Sequence, residues 1–251
     1  MASIDLNADL GETVDGVATA DDEAMFAVIS SASIACGGHA GDAASMREAV
    51  DRARRFRVAV GAHPSYPDQA NFGRTAVPID AEELTRTVAA QLSALIDSGA
   101  DVRYVKPHGA LYHAVTADAA QADSVVAAIS ALADRLGRPV AVLGLSGHIE
   151  RAALEAGLPF VREAFLDRGY RPDGSLVPRG EPGDLLDDPQ QVAERAIRLV
   201  REGGVDAVDG AFVPVAAASL CLHGDSPDAV AMARAVRAAL DAGGIEVRAP
   251  W

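Results

Sequence analysis

The sequence predicts an α/β fold, a distorted TIM-like β/α barrel of about seven strands that forms a single domain over residues 1–251. Short apolar runs alternate with longer amphipathic segments, which is typical of parallel strands joined by helices. The length suits one barrel, and no segment has the composition of a linker. Polar residues follow several of the apolar runs, as they do where barrel strands open onto a ligand site. An open doubly wound sheet is the alternative.

Seven short apolar runs are predicted to be strands because they alternate with helix-like segments. They are residues 3–6, 33–36, 58–61, 102–106, 140–143, 160–163 and 220–223. Residues 205–215 contain two further apolar runs, so an eighth strand could lie there.

Seven amphipathic segments are predicted to be helices. They are residues 21–31, 42–56, 80–98, 118–136, 147–156, 189–202 and 227–242. Side chains that can accept hydrogen bonds from the first helical N–H groups precede four of them, at Asp42, Asp80, Asp118 and Ser226. Glycines that can close a helix in the left-handed conformation follow five of them, at Gly99, Gly137, Gly157, Gly203 and Gly243.

The composition excludes several classes of function. The formal charge of -14 argues against binding to a nucleic-acid backbone or to an anionic membrane. No apolar run approaches the roughly 18 residues of a membrane-spanning helix, and no secretory signal precedes the first strand. We therefore expect a soluble cytoplasmic protein. Cys36 and Cys221 each lie in a predicted strand, so we expect buried free thiols.

Polar side chains gather at the carboxyl ends of the predicted strands. Four of the six histidines follow such a run: His39, His63, His108 and His223. The first run carries Asp5, Asn7 and Asp9 at alternate positions, so these side chains share one face of a strand, and Glu12 follows at the rim. Because parallel strand ends open onto one side of a barrel, the sequence predicts a single polar floor.

Individual groups on this floor suit acid–base chemistry and anion binding. His63 is placed to act as an acid, a base or a ligand. Lys106 ends a strand, where a lysine is hard to bury for packing alone. Arg74 and Arg168 suit a substrate carboxylate, since guanidinium binds it through two hydrogen bonds, and Glu163 is a further candidate. His113 and His148 are expected to have no special role.

A metal centre is the main alternative for these residues. Asp9, His63, His108 and His223 could supply ligands of the zinc type, although no pair has the spacing of the helical zinc motif. The chain has no Gly-x-Ser-x-Gly element of a serine hydrolase and no phosphate-binding loop of a nucleotide-binding domain.

Five motifs in order resemble the LamB/YcsF family, and the resemblance runs from Ser3 to about Val247. They are DLNADLGE (5–12), IACGGHAGD (34–42), GAHPSYPD (61–68), VKPHGALY (105–112) and LHGD (222–225). EAFLDRGY (163–170) and DGSLVPR (173–179) are also similar. The chain departs from the family pattern at Ala8, where Cys is common, at Gly38, where Phe is usual, and at Thr75, where Arg often follows. Ala8 argues against a thiol nucleophile at that position.

The resemblance implies a barrel related to that of the sugar deacetylases. It also implies the activity of the A subunit of the bacterial ATP-dependent 5-oxoprolinase, which opens the lactam of 5-oxo-L-proline (pyroglutamate) to L-glutamate with partner subunits B and C. ATP is then the cofactor of the complex, with Mg²⁺ on one of the partners. The missing nucleotide loop agrees with this division of labour, while ATP binding and a tightly bound metal in this chain stay open.

Each candidate residue is assigned a role on this basis. His63 and Asp9 are expected to act as acid and base, and Lys106 with Asn7 and His108 to hold the developing oxyanion. Residues expected to bind substrate are Asp5, Asn7, Glu12, His39, Arg74, Glu163, Arg168 and His223. The alternative functions are a stand-alone metal-dependent deacetylase or amidohydrolase, and a non-catalytic subunit that binds a small carboxylate.

Overall fold

Seven parallel strands close into a barrel in the structure, a computed structural model that describes residues 2–226 and 228–251. The strands are β1 (Ser3–Leu10), β2 (Thr13–Val14), β3 (Val17–Ala18), β4 (Ser31–Ala35), β5 (Ala59–His63), β6 (Val102–Val105), β7 (Ala141–Gly144), β8 (Phe160–Phe165), β9 (Gly204–Asp206), β10 (Phe212–Pro214), β11 (Ser219–Cys221) and β12 (Glu246–Val247). The helices are α1 (Asp22–Phe26), α2 (Ala43–Phe56), α3 (Ala81–Asp97), α4 (Gly109–Ala117), α5 (Ala119–Leu136), α6 (His148–Glu155), α7 (Pro189–Glu202) and α8 (Ala229–Ala242).

The barrel runs in the order β1, β4, β5, β6, β7, β8 and β11, and β11 pairs with β1 to close it. All of these pairings are parallel. The short strand β12 pairs only with the first two residues of β1. The predicted seven-stranded barrel is confirmed. The suggestion of an eighth barrel strand in residues 205–215 is wrong, because β9 and β10 form an antiparallel hairpin outside the barrel sheet.

Strand β1 extends four residues beyond its predicted end. Its first half pairs with β11, and its second half, from Asn7 to Leu10, pairs with β4. This extension keeps Asp9 inside the barrel. The alternation within β1 is as predicted, since Leu6, Ala8 and Leu10 are fully buried in the hydrophobic core. The polar residues between them, Asn7 and Asp9, both accept hydrogen bonds from Lys106 inside the barrel.

The predicted helices are present, but some of their ends differ. Helix α1 stops at Phe26, five residues early, and α4 was not predicted. Ser226 does not cap α8: its hydroxyl donates to Asp167, and Asp228 is the residue before the helix. The predicted start of that helix at position 227 lies outside the described residues. Gly243 has a negative φ, and the left-handed position is Gly244.

Two further sequence predictions can be compared with the structure. Cys36 and Cys221 are buried free thiols, as predicted. Within the described residues, no helix is both long enough and apolar enough to cross a membrane. The assignment of all 251 residues to one domain stays a prediction.

Candidate active site

A cavity of about 420 Å³ opens at the carboxyl ends of the barrel strands. Seven of the twelve predicted site residues line it, namely Asp9, His63, Arg74, Lys106, His108, Arg168 and His223. The other five are buried and do not line it, namely Asp5, Asn7, Glu12, His39 and Glu163. The polar floor expected from the sequence is therefore present, in two layers.

Lys106 occupies the centre of the floor and is the only lysine in the chain. Its backbone N–H donates to the carbonyl of Ala62, which continues the pairing of β6 with β5 by one residue. The side chain is 1% exposed. Its Nζ lies 3.0 Å from Oδ1 of Asp9, 3.2 Å from Oε2 of Glu163 and 3.1 Å from Sγ of Cys221. One buried ammonium thus holds two carboxylates, from β1 and β8, the two strands that flank β11.

The charges of this network fix its protonation. Burial alone would lower the pKa of Lys106, but the negative charge of Asp9, with that of Glu163, holds this pKa well above its usual value. Burial alone would raise the pKa of Asp9, but His63, in its protonated form, and the ammonium of Lys106 hold this pKa well below its usual value. Near neutral pH, Lys106 is therefore a cation and Asp9 an anion.

A deeper layer supports this network. Asn7 accepts a hydrogen bond from Lys106 at 3.2 Å and donates to Oγ of Ser219 at 2.8 Å. Asp5 lies below it, where its carboxylate accepts from the hydroxyls of Ser30, Ser31 and Ser219 at 2.5 to 2.7 Å. Burial raises the pKa of Asp5. Each of these polar groups is satisfied by a neighbour, as burial requires.

His63 and His108 meet at the edge of the floor. Nε2 of His63 lies 2.9 Å from Nδ1 of His108 and 3.3 Å from Oδ2 of Asp9. The other nitrogen of each ring contacts a backbone carbonyl: Nδ1 of His63 is 2.7 Å from the oxygen of Lys106, and Nε2 of His108 is 2.9 Å from the oxygen of Phe72. Both nitrogens of each ring are thus occupied within the protein.

Glu12 and His39 lie against His63 and His108 and do not line the cavity. The ring of His39 stacks on that of His108 with centroids 3.6 Å apart, and its Nε2 lies 3.1 Å from Oε1 of Glu12. Burial, with the nearby charge of Asp9, raises the pKa of Glu12 to about 7. Burial also lowers the pKa values of His39 and His108 well below the usual value for histidine. These two rings are therefore neutral near pH 7.

Two glycines let the chain close over the stacked rings. Gly73 has φ +62°, and a Cβ there would lie 2.8 Å from Cβ of His39 and 3.0 Å from Cδ2 of His108. Gly109 has φ +55°, and a Cβ there would lie 2.6 Å from the carbonyl oxygen of Gly73. Only glycine fits both the backbone conformation and the space.

His223 faces the same cavity as part of a separate pair. Its Nδ1 lies 2.9 Å from Oδ2 of Asp167, and its backbone N–H donates to the same oxygen. Burial would raise the pKa of Asp167, but His223 lowers it below the usual value. Because the carboxylate accepts the proton on Nδ1, Nε2 of His223 keeps its lone pair. Among the described residues, this Nε2 has no hydrogen-bond partner.

Three arginines line the wall of the cavity. Arg74 forms an ion pair with Asp225 at 2.6 Å, and Arg168 donates to two backbone carbonyls at 2.6 and 3.1 Å. Arg179 is exposed and has no salt bridge within the described part of the chain. Burial and, after it, the charge of Arg179 lower the pKa of Arg168. Both residues line the same cavity. This wall suits an anion.

Three groups of this site were assigned no role from the sequence. Tyr112 donates to Oε1 of Glu163 at 2.7 Å and lies on the unpredicted helix α4. Asp167 orients His223, and Arg179 lines the wall. A signal existed for Asp167, which directly follows the apolar strand end Phe165–Leu166 in the sequence. For Arg179 the signal was the family-like segment DGSLVPR (173–179), but its place in the site depends on how a long loop folds.

Comparisons with known proteins agree on the relatives of this chain. It is 50% identical over 251 residues to the 5-oxoprolinase A subunit of Streptomyces griseus subsp. griseus, covering 98% of this chain and 99% of that protein. It is 48% identical over 254 residues to the 5-oxoprolinase A subunit of Cutibacterium acnes, covering 99% of each.

Solved structures give the same picture. A lactam utilization protein from Thermus thermophilus has a TM-score of 0.91 and 41% identity, with 98% of this chain and 99% of that chain covered. The T48 deacetylase has a TM-score of 0.50 at 11% identity, covering 98% of this chain and 87% of that one. The second likeness concerns the fold alone, and it shows that the barrel resembles the fold of this deacetylase. Residues 4–250 match the LamB/YcsF family, so the chain belongs to this family.

Proposed function

We propose that this chain is the A subunit of an ATP-dependent 5-oxoprolinase, which hydrolyses the lactam of 5-oxo-L-proline to L-glutamate together with subunits B and C. Its full-length relatives are named as A subunits of 5-oxoprolinase and as a lactam utilization protein. The observation within the chain that carries the proposal is the buried Lys106–Asp9 pair on the floor of a cavity with arginines on its wall. We place the enzyme in the cytoplasm, in glutamate and glutathione metabolism, as the family resemblance implies.

The reaction defines what the site must provide. Water attacks the lactam carbonyl carbon, the C–N bond breaks, and the ring nitrogen takes a proton to become the amino group of glutamate. A five-membered lactam is a stable amide, and ATP, bound with Mg²⁺ on the partner subunits, makes it more electrophilic by phosphorylating the amide oxygen and leaving as ADP. Attack by the first water with loss of the ring nitrogen then leaves an acyl phosphate. A second water converts the acyl phosphate to the new carboxylate and inorganic phosphate. This chain must then bind the substrate, stabilise a negative oxygen and move protons.

Lys106 is the group suited to the negative oxygen. It lines the cavity and stays protonated in a site where few waters weaken its charge. Its N–H groups already have acceptors, so it acts mainly through its charge. Asn7 accepts from Lys106 and does not line the cavity, so it positions the lysine instead of contacting the substrate.

His223 is better placed than His63 to move protons. Its Nε2 is available in the cavity, and Asp167 holds its ring in one orientation and stabilises the protonated form. Both ring nitrogens of His63 already have contacts within the protein. The expected acid–base role of His63 stays a prediction, and Asp9 remains the proposed partner because its carboxylate lies on the floor beside Lys106.

The arginine wall is proposed to hold the substrate carboxylate. Arg179 has no salt bridge among the described residues. Arg168 lines the same cavity, with part of its hydrogen-bonding capacity used by backbone carbonyls. Arg74, the other expected carboxylate ligand, would first have to leave Asp225. The carboxylate would then lie away from Lys106, which leaves the lactam carbonyl over the floor.

The decisive assay is glutamate formation from 5-oxo-L-proline and ATP by subunits B and C, with and without this chain. We expect glutamate only when all three subunits are present. An equal rate without the chain, or turnover by the purified chain alone, would contradict the proposal.

Two variants test the site within that assay. Asp9→Asn and His63→Ala are expected to abolish glutamate formation while circular dichroism stays that of the folded chain. His148→Ala is the matched control, because His148 lies on helix α6 and does not line the cavity. Full activity in either site variant would remove that residue from the mechanism.

The two alternative functions predict other outcomes. A stand-alone deacetylase or amidohydrolase would cleave an acetylated sugar or an amide without subunits B and C. A non-catalytic subunit would bind 5-oxo-L-proline in a calorimeter, while Asp9→Asn would leave glutamate formation by the complex unchanged. Neither result is expected here.

A further inference from the structure

Four buried side chains at the edge of the cavity floor point their metal-binding atoms at one another. They are Glu12, His39, His63 and His108, here called the three-histidine cluster, and none is more than 6% exposed. His63 is the last residue of β5, and the other three lie in the connections after β1, β4 and β6. One ligand atom from each lies within 4.8 Å of those from the other three. The mechanism proposed above needs neither Glu12 nor His39, so their convergence requires another explanation.

The hydrogen bonds of His63 and His108 fix which nitrogens carry protons. A carbonyl oxygen only accepts, so Nδ1 of His63 and Nε2 of His108 both donate, to the carbonyls of Lys106 and Phe72. When both rings are neutral, this leaves lone pairs on Nε2 of His63 and Nδ1 of His108. These two atoms face each other at 2.9 Å. Two lone pairs at this distance repel unless a proton or a metal cation lies between them.

A proton between these rings would explain only one contact. His39 and Glu12 bring two more ligand atoms to the same place, 3.1 Å from each other, and Oε1 of Glu12 lies 3.7 Å from Nδ1 of His108. The second nitrogen of His39, Nδ1, is buried without a partner among the described residues. It can therefore carry the ring proton and leave a lone pair on Nε2 when a cation takes the place of the hydrogen bond between Nε2 and Glu12. Four atoms that can each donate a lone pair therefore converge.

The spacing of these atoms suits a tetrahedral ion. Bonds of 2.0–2.1 Å from zinc to nitrogen or oxygen place neighbouring ligand atoms about 3.4 Å apart. Three distances between ligand atoms of the cluster bracket this value. They are 2.9 Å for His63–His108, 3.1 Å for His39–Glu12 and 3.7 Å for His108–Glu12. The carbonyl contacts of His63 and His108 also match the usual outer partners of metal-binding histidines, which hold each ring in position.

A second group of possible ligands does not form such a site. Asp9, Cys221 and His223 also converge, but the ammonium of Lys106 already lies 3.0 Å from Asp9 and 3.1 Å from the sulfur of Cys221. Burial raises the pKa of Cys221 well above its usual value, so the sulfur stays protonated and is a poor ligand. The ligand set considered from the sequence is thus divided between two groups, and only the three-histidine cluster lacks a cation of its own.

We propose that Glu12, His39, His63 and His108 bind one divalent transition-metal ion of the zinc class. Imidazole and carboxylate are the ligands that zinc and its neighbours accept, and no soft sulfur ligand is present to favour copper(I). His63 and His108 also line the cavity, so the ion lies at the edge of the substrate site. This proposal goes beyond the proposed lactam hydrolysis, because metal binding is measured without substrate, ATP or partner subunits.

The test titrates the purified chain with Zn²⁺ in a calorimeter after the chain has been stripped with a chelator. Co²⁺, whose visible spectrum reports four-coordinate geometry, is the second probe. We expect one ion per chain for the wild type and for the control His148→Ala. His39→Ala and Glu12→Gln should weaken Zn²⁺ binding by more than the roughly 10- to 100-fold that loss of an outer partner costs. Saturating Zn²⁺ should raise the Tm of the wild type but not that of Glu12→Gln.

Two results would overturn the proposal. In the first, the wild type binds Zn²⁺ no more tightly than His39→Ala and Glu12→Gln do. In the second, His148→Ala loses as much affinity for Zn²⁺ as the two cluster variants do, which would mean that Zn²⁺ binds elsewhere on the chain. Circular dichroism of each metal-free variant shows whether it is folded. If His39→Ala does not fold, Glu12→Gln still tests the proposal, because glutamine has nearly the same shape as glutamate. A failure here leaves the reconstituted glutamate assay as a separate test of the proposed function.

Discussion

Replacing Lys106 with methionine tests whether the buried ion network holds the barrel together. Methionine keeps the length and the apolar stem of lysine but removes its charge. Asp9 and Glu163 would then be buried without a counter-charge, at sites where the ammonium now lies 3.0 and 3.2 Å from their oxygens. Each contact has a gross attraction of about 5 kcal/mol at an effective dielectric constant near 20. Most of this attraction offsets the desolvation of the three groups.

The expected net loss is therefore smaller than the sum of the contacts. Removing one partner of a buried ion pair typically costs about 3–5 kcal/mol, which for a chain of this size lowers the Tm by roughly 6–20 °C. Urea unfolding of the isolated chain at pH 7 measures the change in the free energy of unfolding. Arg103→Met is the matched control on the same strand, because the Arg103–Asp101 pair is exposed and its loss should cost less than about 1 kcal/mol.

A second variant keeps this test informative if Lys106→Met does not fold. The triple variant with Asp9→Asn and Glu163→Gln has no unpaired charge, so it should recover much of the stability while remaining inactive in the complex. The reasoning would be refuted if Lys106→Met lowered the free energy of unfolding no more than Arg103→Met does. It would mean that the two carboxylates do not depend on the ammonium.

Three further perturbations follow from the site. Asp167→Asn should lower the free energy of unfolding by about 1.5–3 kcal/mol at pH 7. His223 depresses the pKa of Asp167 in the folded state, so this stability is fully present above the pKa that Asp167 has in the unfolded chain. As the pH falls through the folded-state pKa of Asp167, the difference in unfolding free energy between wild type and variant, measured by urea titration, should vanish. Gly73→Ala should lower the Tm more than Gly137→Ala, since both glycines have φ near +60° but only Gly73 is packed against histidine rings; equal losses would contradict this. Arg179→Ala should raise KM for 5-oxo-L-proline at least about tenfold with little change in Tm, and an unchanged KM would remove it from the carboxylate site.

The strand pattern predicted the barrel and its floor because both depend on short-range periodicity. Alternation along one strand places Asp5, Asn7 and Asp9 on the inner face, and strand ends bring distant histidines to one side. Helix α4 was missed because its residues 109–117 are apolar on nearly every face, so they lack the contrast that marks an amphipathic helix.

The grouping of side chains within the site could not be predicted in the same way. The sequence offered Asp9, His63, His108 and His223 as one ligand set, but Asp9 pairs with Lys106 and His223 pairs with Asp167. Which imidazole meets which carboxylate depends on rotamers and on loop paths. The close approach of Gly73 to the histidine rings is one such contact, and no periodicity encodes it.

The burial of Lys106 leaves the surface of the folded chain without a lysine amine. The other 21 of its 22 basic residues are arginines, and its only lysine is 1% exposed. Apart from a terminal amine, an amine-reactive reagent therefore finds no side-chain target until the barrel opens. The rate at which Lys106 is acylated, followed by mass spectrometry, would report how often the floor is exposed to solvent, without an added probe.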